Sequence, residues 1–199
     1  MAYVVKHEKR RTEILKNALA VFVDDGFENT TFQKIADRSG ITRTTLYLYF
    51  KNKREIFNYS IKQMLVKAEE DIGKIEASKS LGSVEKITRI LLDILKLLED
   101  NQRLLSVIMD YLLHLPKNEG PPELRVRRRT LKMRRAISSI IREGIKAGEL
   151  KKANVKTADD FFYSIIEAAI FHLAILKREN LDEMKNVVVF AAKQFATQG

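Results

Sequence analysis

Hydrophobic side chains recur every three or four residues along nearly the whole chain, which is the spacing of amphipathic helices. The first such stretch spans residues 8–25, and Gly26 follows it as a helix stop. Two short helical stretches come next, the first capped by Thr30 or Thr31 and the second capped by Thr42. The chain therefore begins with one medium helix and two short ones.

The helical pattern continues to the end of the chain, broken most clearly by a loop with three prolines at residues 116–122. A variant capping box begins the next helix, because Asn52 is followed three residues later by Glu55. The remaining helical stretches are residues 53–73, 83–98, 102–115, 123–147, Thr157–Lys177 and Leu181–Phe195. The sequence predicts an all-α protein of about nine helices.

Composition narrows the class of protein. The 199 residues include only 8 glycines and 3 prolines, which agrees with a helical fold, and no cysteine for a disulfide or a thiolate metal site. No apolar run approaches the ~20 residues that span a bilayer, and no signal-peptide core follows the basic N-terminus. We expect a cytoplasmic protein without a membrane anchor. The formal charge of +10 favours a polyanionic partner, either nucleic acid or an anionic membrane surface.

The most informative segment runs from Thr30 to Phe50, TTFQKIADRSGITRTTLYLYF. Its spacing fits a helix-turn-helix, in which two short helices cross closely around a tight turn. Ala36 supplies the small residue for the crossing, and Gly40 supplies the turn residue that tolerates positive φ. The shared core is predicted to consist of Ile35, Ile41 and Leu46.

The outward side of the second short helix carries a cluster of hydroxyl and cationic side chains that packing within a helical bundle does not require. Arginine and threonine side chains reach base edges in the major groove, whereas tyrosine and lysine suit phosphates. The outward residues are Thr42, Arg43, Thr44, Tyr47 and Tyr49, with Lys53 at the start of the next helix. The fold is thus expected to be a three-helix helix-turn-helix head, residues 1–55, on a larger helical-bundle body, residues 56–199.

From Gly26 to Lys53 the sequence resembles the N-terminal signature of TetR-family regulators, with a dozen positions agreeing in type and spacing. The resemblance implies a homodimer that binds double-stranded DNA and whose body binds a small-molecule effector. It places Thr31 and Gln33 near DNA, directs Thr42, Arg43 and Thr44 to the groove, and assigns Thr45, Tyr47, Tyr49 and Lys53 to the DNA backbone or flanking bases.

Two positions depart from the family pattern. Thr44 stands where many members carry glycine, which alters the close approach of the backbone to the bases. Lys34 replaces a frequent acidic residue, so the helix cap there is assigned to Thr30 together with Gln33.

Pairing of two chains is predicted through the last two helices, Thr157–Lys177 and Leu181–Phe195. The first of them has two neighbouring apolar stripes, although a helix on a protein surface needs only one. A helix at the centre of a single large domain explains the same pattern, but the family resemblance favours a homodimer.

The densest positive charge lies outside the predicted DNA reader. Residues 121–152 contain eleven Lys/Arg against three Asp/Glu, whereas residues 1–55 contain eleven against seven. The basic cluster Arg125–Arg135 is consistent with a solvated helix face, with long-range attraction to DNA, or with a site for an anionic ligand.

Catalytic and metal-binding motifs are not evident in the sequence. His7, His114 and His172 lack ligand spacing, and no nucleophile elbow, P-loop or dinucleotide fingerprint occurs. We expect no enzyme activity, no metal and no cofactor. The favoured function is a ligand-released, TetR-like repressor that binds a palindromic operator in the nucleoid, with activation left open. The rival interpretation is a helical module that docks on acidic membranes or proteins.

Overall fold

The structure is a computed structural model that describes residues 2–115 and 122–197, with side chains described for residues 7–115 and 130–197. The described residues form nine helices and one isolated bridge, between Leu150 and Ala196, which confirms the predicted all-α class. The helices are α1 (Ala2–Asn29), α2 (Phe32–Arg38), α3 (Arg43–Tyr47), α4 (Lys53–Ala77), α5 (Ser83–Asp100), α6 (Gln102–Leu113), α7 (Pro122–Ala147), α8 (Val155–Ala174) and α9 (Asp182–Phe195).

The chain divides into two compact units, Met1–Lys67 and Ala68–Gly199, here called the N-terminal and C-terminal units. The division falls inside α4. The functional boundary expected after residue 55 lies in the same helix and stays a prediction. None of the helices in the described part of the chain has the length and apolar character of a membrane-spanning segment.

The N-terminal unit is built around aromatic side chains that α1 and α4 bury between them. Phe22 and Phe57 are fully buried, and their ring centroids lie 4.8 Å apart. Phe27 packs on the same ring of Phe57 at 5.1 Å. The buried hydroxyl of Ser60 donates a 2.9 Å hydrogen bond to the carbonyl of Leu15 and ties α4 to α1. Because these contacts fix α1 and α4, they form the support on which α2 and α3 are held.

The helices α1 and α8 begin at residues other than the predicted ones. The α1 segment begins at Ala2, six residues before the predicted start, and Gly26 interrupts it with φ +77°. Thr157 was predicted to begin α8 as its cap, but Asn154 is the cap: its side-chain oxygen accepts from the amide of Thr157 at 3.1 Å, and the helix begins at Val155. Asparagine is the stronger capping residue of the two.

The other end of α8 also falls short of the prediction. The helix ends at Ala174, and Lys177 adopts a left-handed φ of +55°, which stops the helix before the predicted end. The last helix begins one residue late, at Asp182, with Leu181 as its N-cap. The two predicted pairing helices therefore exist, with these corrected bounds.

In the C-terminal unit, α5 packs against α7, α8 and α9 and buries one apolar side, which includes Ile87, Leu91 and Leu95. The start of α5 is held by Glu149, whose carboxylate accepts from the amide of Ser83 at 2.6 Å. Hydrogen bonds from Ser83 hold the pKa of the Glu149 carboxyl below its usual value. The connection after α7 thus supplies the cap that the α5 N-cap residue itself lacks.

Close packing of α7 on α5 depends on Gly144. A Cβ atom at this position would lie 2.6 Å from the Ser83 hydroxyl oxygen and 2.7 Å from a methyl carbon of Leu150. We expect Gly144→Ala to lower the free energy of unfolding by about 1–3 kcal/mol, as overpacking does. Urea denaturation of the full chain measures this.

Gly73→Ala is the matched control, because it is also helical and has nothing within 4 Å of the added carbon. Alanine is the better helix former, so this variant should gain up to about 1 kcal/mol. Equal stability of Gly144→Ala and the wild type would contradict the close approach of α7 and α5.

Candidate nucleic-acid interface

The first helix of the predicted motif, α2, is capped by Thr31 alone. Its hydroxyl oxygen accepts from the amide of Lys34 at 3.2 Å. Thr30 is buried and donates instead to the carbonyl of Gly26 at 2.6 Å. The assignment of the cap to Thr30 with Gln33 is therefore wrong, because the Thr30 hydroxyl closes the end of α1. Thr31 itself is exposed at the start of α2.

The turn between α2 and α3 follows the glycine-dependent geometry that the sequence predicts. Gly40 has φ +62°, and its amide donates to the carbonyl of Asp37 at 3.1 Å. The amide of Ile41 donates to the carbonyl of Ala36 at 3.1 Å. These two bonds are those of a Schellman motif, which ends a helix with a residue of positive φ. Ile35 and Leu46 are fully buried, which confirms them as core residues of the motif, and Ala36 is fully buried as expected at the crossing. Ile41, the third predicted core residue, is only half-buried.

The second helix, α3, is short and begins with a side-chain cap. The Thr42 hydroxyl oxygen accepts from the amide of Thr45 at 3.1 Å, and the two threonine hydroxyls lie 2.8 Å apart. One hydroxyl of this pair thus donates to the other. Thr42 is exposed and Thr45 is half-buried. The cap fixes where α3 begins and therefore which of its residues point outward.

Arg43 and Tyr47 form a joined pair on the exposed side of α3. The Arg43 guanidinium donates to the Tyr47 hydroxyl at 3.2 Å and lies 5.7 Å from the centre of its ring. The Tyr47 ring also stacks on the ring of Phe32, with ring centroids 4.6 Å apart. Arg43 is exposed, and it forms no ion pair within the described residues. Thr44 beside it is exposed.

Three further predicted residues make contacts inside the N-terminal unit. The Gln33 amide donates to the Asp37 carboxylate at 2.7 Å, although the residue is exposed. Tyr49 is half-buried and stacks on His7 at 4.5 Å. Lys53 is also half-buried and contacts the end of α1. Six of the nine predicted DNA-binding residues are thus exposed and three are half-buried.

Two lysines stabilise the end of α1, and sequence reasoning gave this role to neither. The Lys53 ammonium donates to the carbonyl of Glu28 at 2.9 Å and lies 4.5 Å from the centre of the Phe27 ring. Burial lowers the pKa of Lys53, and the charge of Glu28 opposes this change. Lys34 donates to the carbonyl of Asn29 at 3.1 Å. Cations at a helix C-terminus complete its free carbonyls and complement its dipole.

The basic cluster Arg125–Arg135 is partly neutralised where its side chains are described. Lys132 pairs with Glu69 at 2.5 Å, and Arg134 pairs with Asp159 at 2.6 Å and also with Asp160. Burial raises the pKa of Asp159, and the hydrogen bonds from Arg134 oppose the rise. The side chains of Arg125 and residues 127–129 lie outside the described residues.

This geometry is that of a helix-turn-helix DNA-binding unit, and comparison with known proteins assigns its family. Residues 14–59 match the profile of the bacterial regulatory proteins of the tetR family. The HTH-type transcriptional regulator YfiR of Bacillus subtilis is 30% identical over 178 residues, which cover 88% of this chain and 85% of that protein.

Solved structures show the same fold. A TetR transcription regulator from Haloarcula marismortui superposes with a TM-score of 0.83 at 17% identity, over 96% of this chain and 100% of that one. The regulator FadR from Bacillus subtilis, solved in complex with stearoyl-CoA, superposes with a TM-score of 0.70 at 22% identity, over 90% and 96%. The chain belongs to the TetR family, and it is a DNA-binding transcriptional regulator.

The contacts of Lys53 generate a prediction that separates its structural role from any DNA contact. Lys53→Ala removes a hydrogen bond and a cation from the end of α1, so the free energy of unfolding should fall by about 0.5–1.5 kcal/mol without DNA. Thermal or urea denaturation checks this.

Lys51→Ala is the matched control, because Lys51 is exposed two positions earlier and, among the described residues, its one hydrogen bond is from its backbone amide to Glu55. This variant should be as stable as the wild type. A Lys53→Ala variant with unchanged stability would argue against the structural role.

Proposed function

We propose that α3 enters the major groove of a palindromic operator and that the nine predicted residues make the DNA contacts. The exposed Arg43–Tyr47 pair carries this proposal. The Tyr47 hydroxyl accepts from the Arg43 guanidinium on the exposed side of α3, and the Tyr47 ring is itself held by stacking on Phe32. A positioned guanidinium is the group that reads guanine most often, by donating to O6 and N7.

The other residues divide between base edges and the DNA backbone. Thr42 and Thr44 are exposed beside Arg43 at the start of α3 and suit base edges. The remaining candidates suit phosphates and set the register: Thr31, Gln33, Thr45, Tyr47, Tyr49 and Lys53. To bind a phosphate, the Lys53 ammonium would either give up its hydrogen bond to the carbonyl of Glu28 or donate to both groups at once.

We propose that two chains pair through α8 and α9. Both helices expose large apolar side chains, between 44% and 66% exposed, in addition to the side that each buries in the core. These side chains are Phe161 and Phe171 on α8, Ile175 at the C-cap of α8, and Val187 and Phe190 on α9. A helix at the centre of one domain would bury them, so their exposure supports the homodimer. A dimer presents two copies of α3, which explains a palindromic site.

We propose that the C-terminal unit binds a small-molecule effector without turning it over, and that binding releases the protein from DNA in the cytoplasm. The fold neighbour that contains stearoyl-CoA supports a ligand site in this type of body. Release requires that the effector binds the DNA-free conformation more tightly, because only a difference in affinity shifts such an equilibrium. Repression follows where the operator overlaps a promoter.

Selection of duplexes from a random pool by the full-length protein tests the operator proposal. Arg43→Ala should weaken binding to the selected site by about 1–3 kcal/mol and relax the preference at one position of each half-site. Arg142→Ala, which removes an exposed arginine from the C-terminal unit, is the control and should leave selectivity intact. Unchanged selectivity in Arg43→Ala would refute the assignment of the reader.

The dimer has a separate test. Phe190→Asp places a charge at the most exposed side chain of the α8–α9 set, so it should give a monomer in sedimentation analysis and lose most operator affinity. Leu113→Asp is the control, because Leu113 is similarly exposed at the end of α6 and should leave the dimer intact. A Phe190→Asp dimer as stable as the wild type would contradict pairing through this face.

A further inference from the structure

Leu48 stands out on the surface of the N-terminal unit. With 76% of its area exposed, it is the most exposed large hydrophobic side chain among the described residues. The core positions of the same segment are already filled by Leu46 and Phe50, which are almost completely buried. Leu48 lies between these two buried residues in the sequence, and its side chain is on the opposite, exposed side of the segment.

The backbone of α3 places Leu48 on the side that carries the proposed DNA contacts. Leu48 is the C-cap of α3 and keeps right-handed helical angles, φ −70° and ψ −21°. Residues four apart on a helix are neighbours, as the bonded pair Arg43 and Tyr47 shows directly. Thr44 and Leu48 have the same spacing and are both exposed. The exposed side of α3 thus carries two neighbouring pairs of residues. Arg43 and Tyr47 form the polar pair, and Thr44 and Leu48 form the pair whose side chains end in methyl groups.

Methyl groups on a helix in the major groove can contact one apolar group of the DNA bases. Among the base-pair edges in the major groove, thymine alone presents an apolar group, its 5-methyl. Burying that methyl against an apolar side chain is favourable, whereas the other bases offer polar edges that leucine cannot satisfy.

We propose that Leu48, assisted by the Thr44 methyl, reads the 5-methyl group of a thymine in each half-site. This inference rests on the proposed binding of α3 in the major groove, and it adds a residue that determines specificity for A·T pairs beside a guanine reader. A leucine that only packs on the sugar–phosphate backbone would contact every sequence alike.

The test replaces thymine by deoxyuridine, which removes the methyl and keeps the base pair. Duplexes are first selected from a random pool with the full-length wild type, and each thymine of the selected site is then replaced in both half-sites. Binding is measured for the wild type, for Leu48→Ala and for the control Leu113→Ala, which shortens a leucine of similar exposure in the C-terminal unit.

For the wild type and Leu113→Ala, one thymine per half-site should be sensitive, with a loss of about three- to fivefold per methyl removed. Leu48→Ala should bind the thymine duplex more weakly by a similar factor and should be insensitive at that position. Its dependence on salt should equal that of the wild type, because an apolar contact displaces no counterions.

Two results would overturn the inference alone: no thymine sensitive to loss of its methyl, or the same sensitivity in Leu48→Ala and the wild type. A random pool from which the wild type selects no sequence would instead overturn the proposed function, and the inference with it.

Discussion

The orientation of α3 depends on the turn at Gly40. Its positive φ lets the amides of Gly40 and Ile41 close the end of α2, and the chain then turns so that α3 packs on α2 with both Ala36 and Leu46 buried. A larger residue at position 36 or a strained one at position 40 would change the angle at which α3 leaves the core. Every proposed DNA contact on α3 points outward because Leu46 points inward.

This part of the molecule was the most predictable from sequence, because its requirements are local. A small residue, a glycine and a hydrophobic residue at fixed intervals describe the turn almost completely, and the capping threonine Thr42 follows in register. Helix ends were less predictable where two capping residues compete, as at Asn154 and Thr157, or where left-handed backbone at Lys177 stops the helix. The nine predicted DNA contacts and the pairing of α8 and α9 remain predictions; they are supported by the exposure of six of the nine residues and of apolar side chains on α8 and α9.

Contacts between distant parts of the chain were not predictable. Lys53 donates to the carbonyl of Glu28, 25 residues earlier at the end of α1, and nothing near Lys53 in the sequence indicates that partner. In the segment Leu-Tyr-Leu-Tyr, the motif spacing predicted that Leu46 is buried but assigned no place to Leu48, whose exposure is evident only from the structure. Charge was a poor guide as well, because cations of the Arg125–Arg135 cluster pair with carboxylates from α4 and α8. The specific face of α3 therefore says more about DNA recognition than the net charge does.

The central claim, that α3 lies in the major groove of each half-site, can be tested by site-directed DNA cleavage. The chain has no cysteine, so Lys51→Cys gives a single attachment point for an iron chelate just beyond α3. On the selected duplex, cleavage should fall in two symmetric clusters whose centres are about one helical turn or a multiple of it apart. The same chelate on Leu113→Cys, in the C-terminal unit, should not reproduce these clusters. Cleavage spread evenly along the duplex, or clusters only from the Leu113→Cys protein, would contradict the placement of α3.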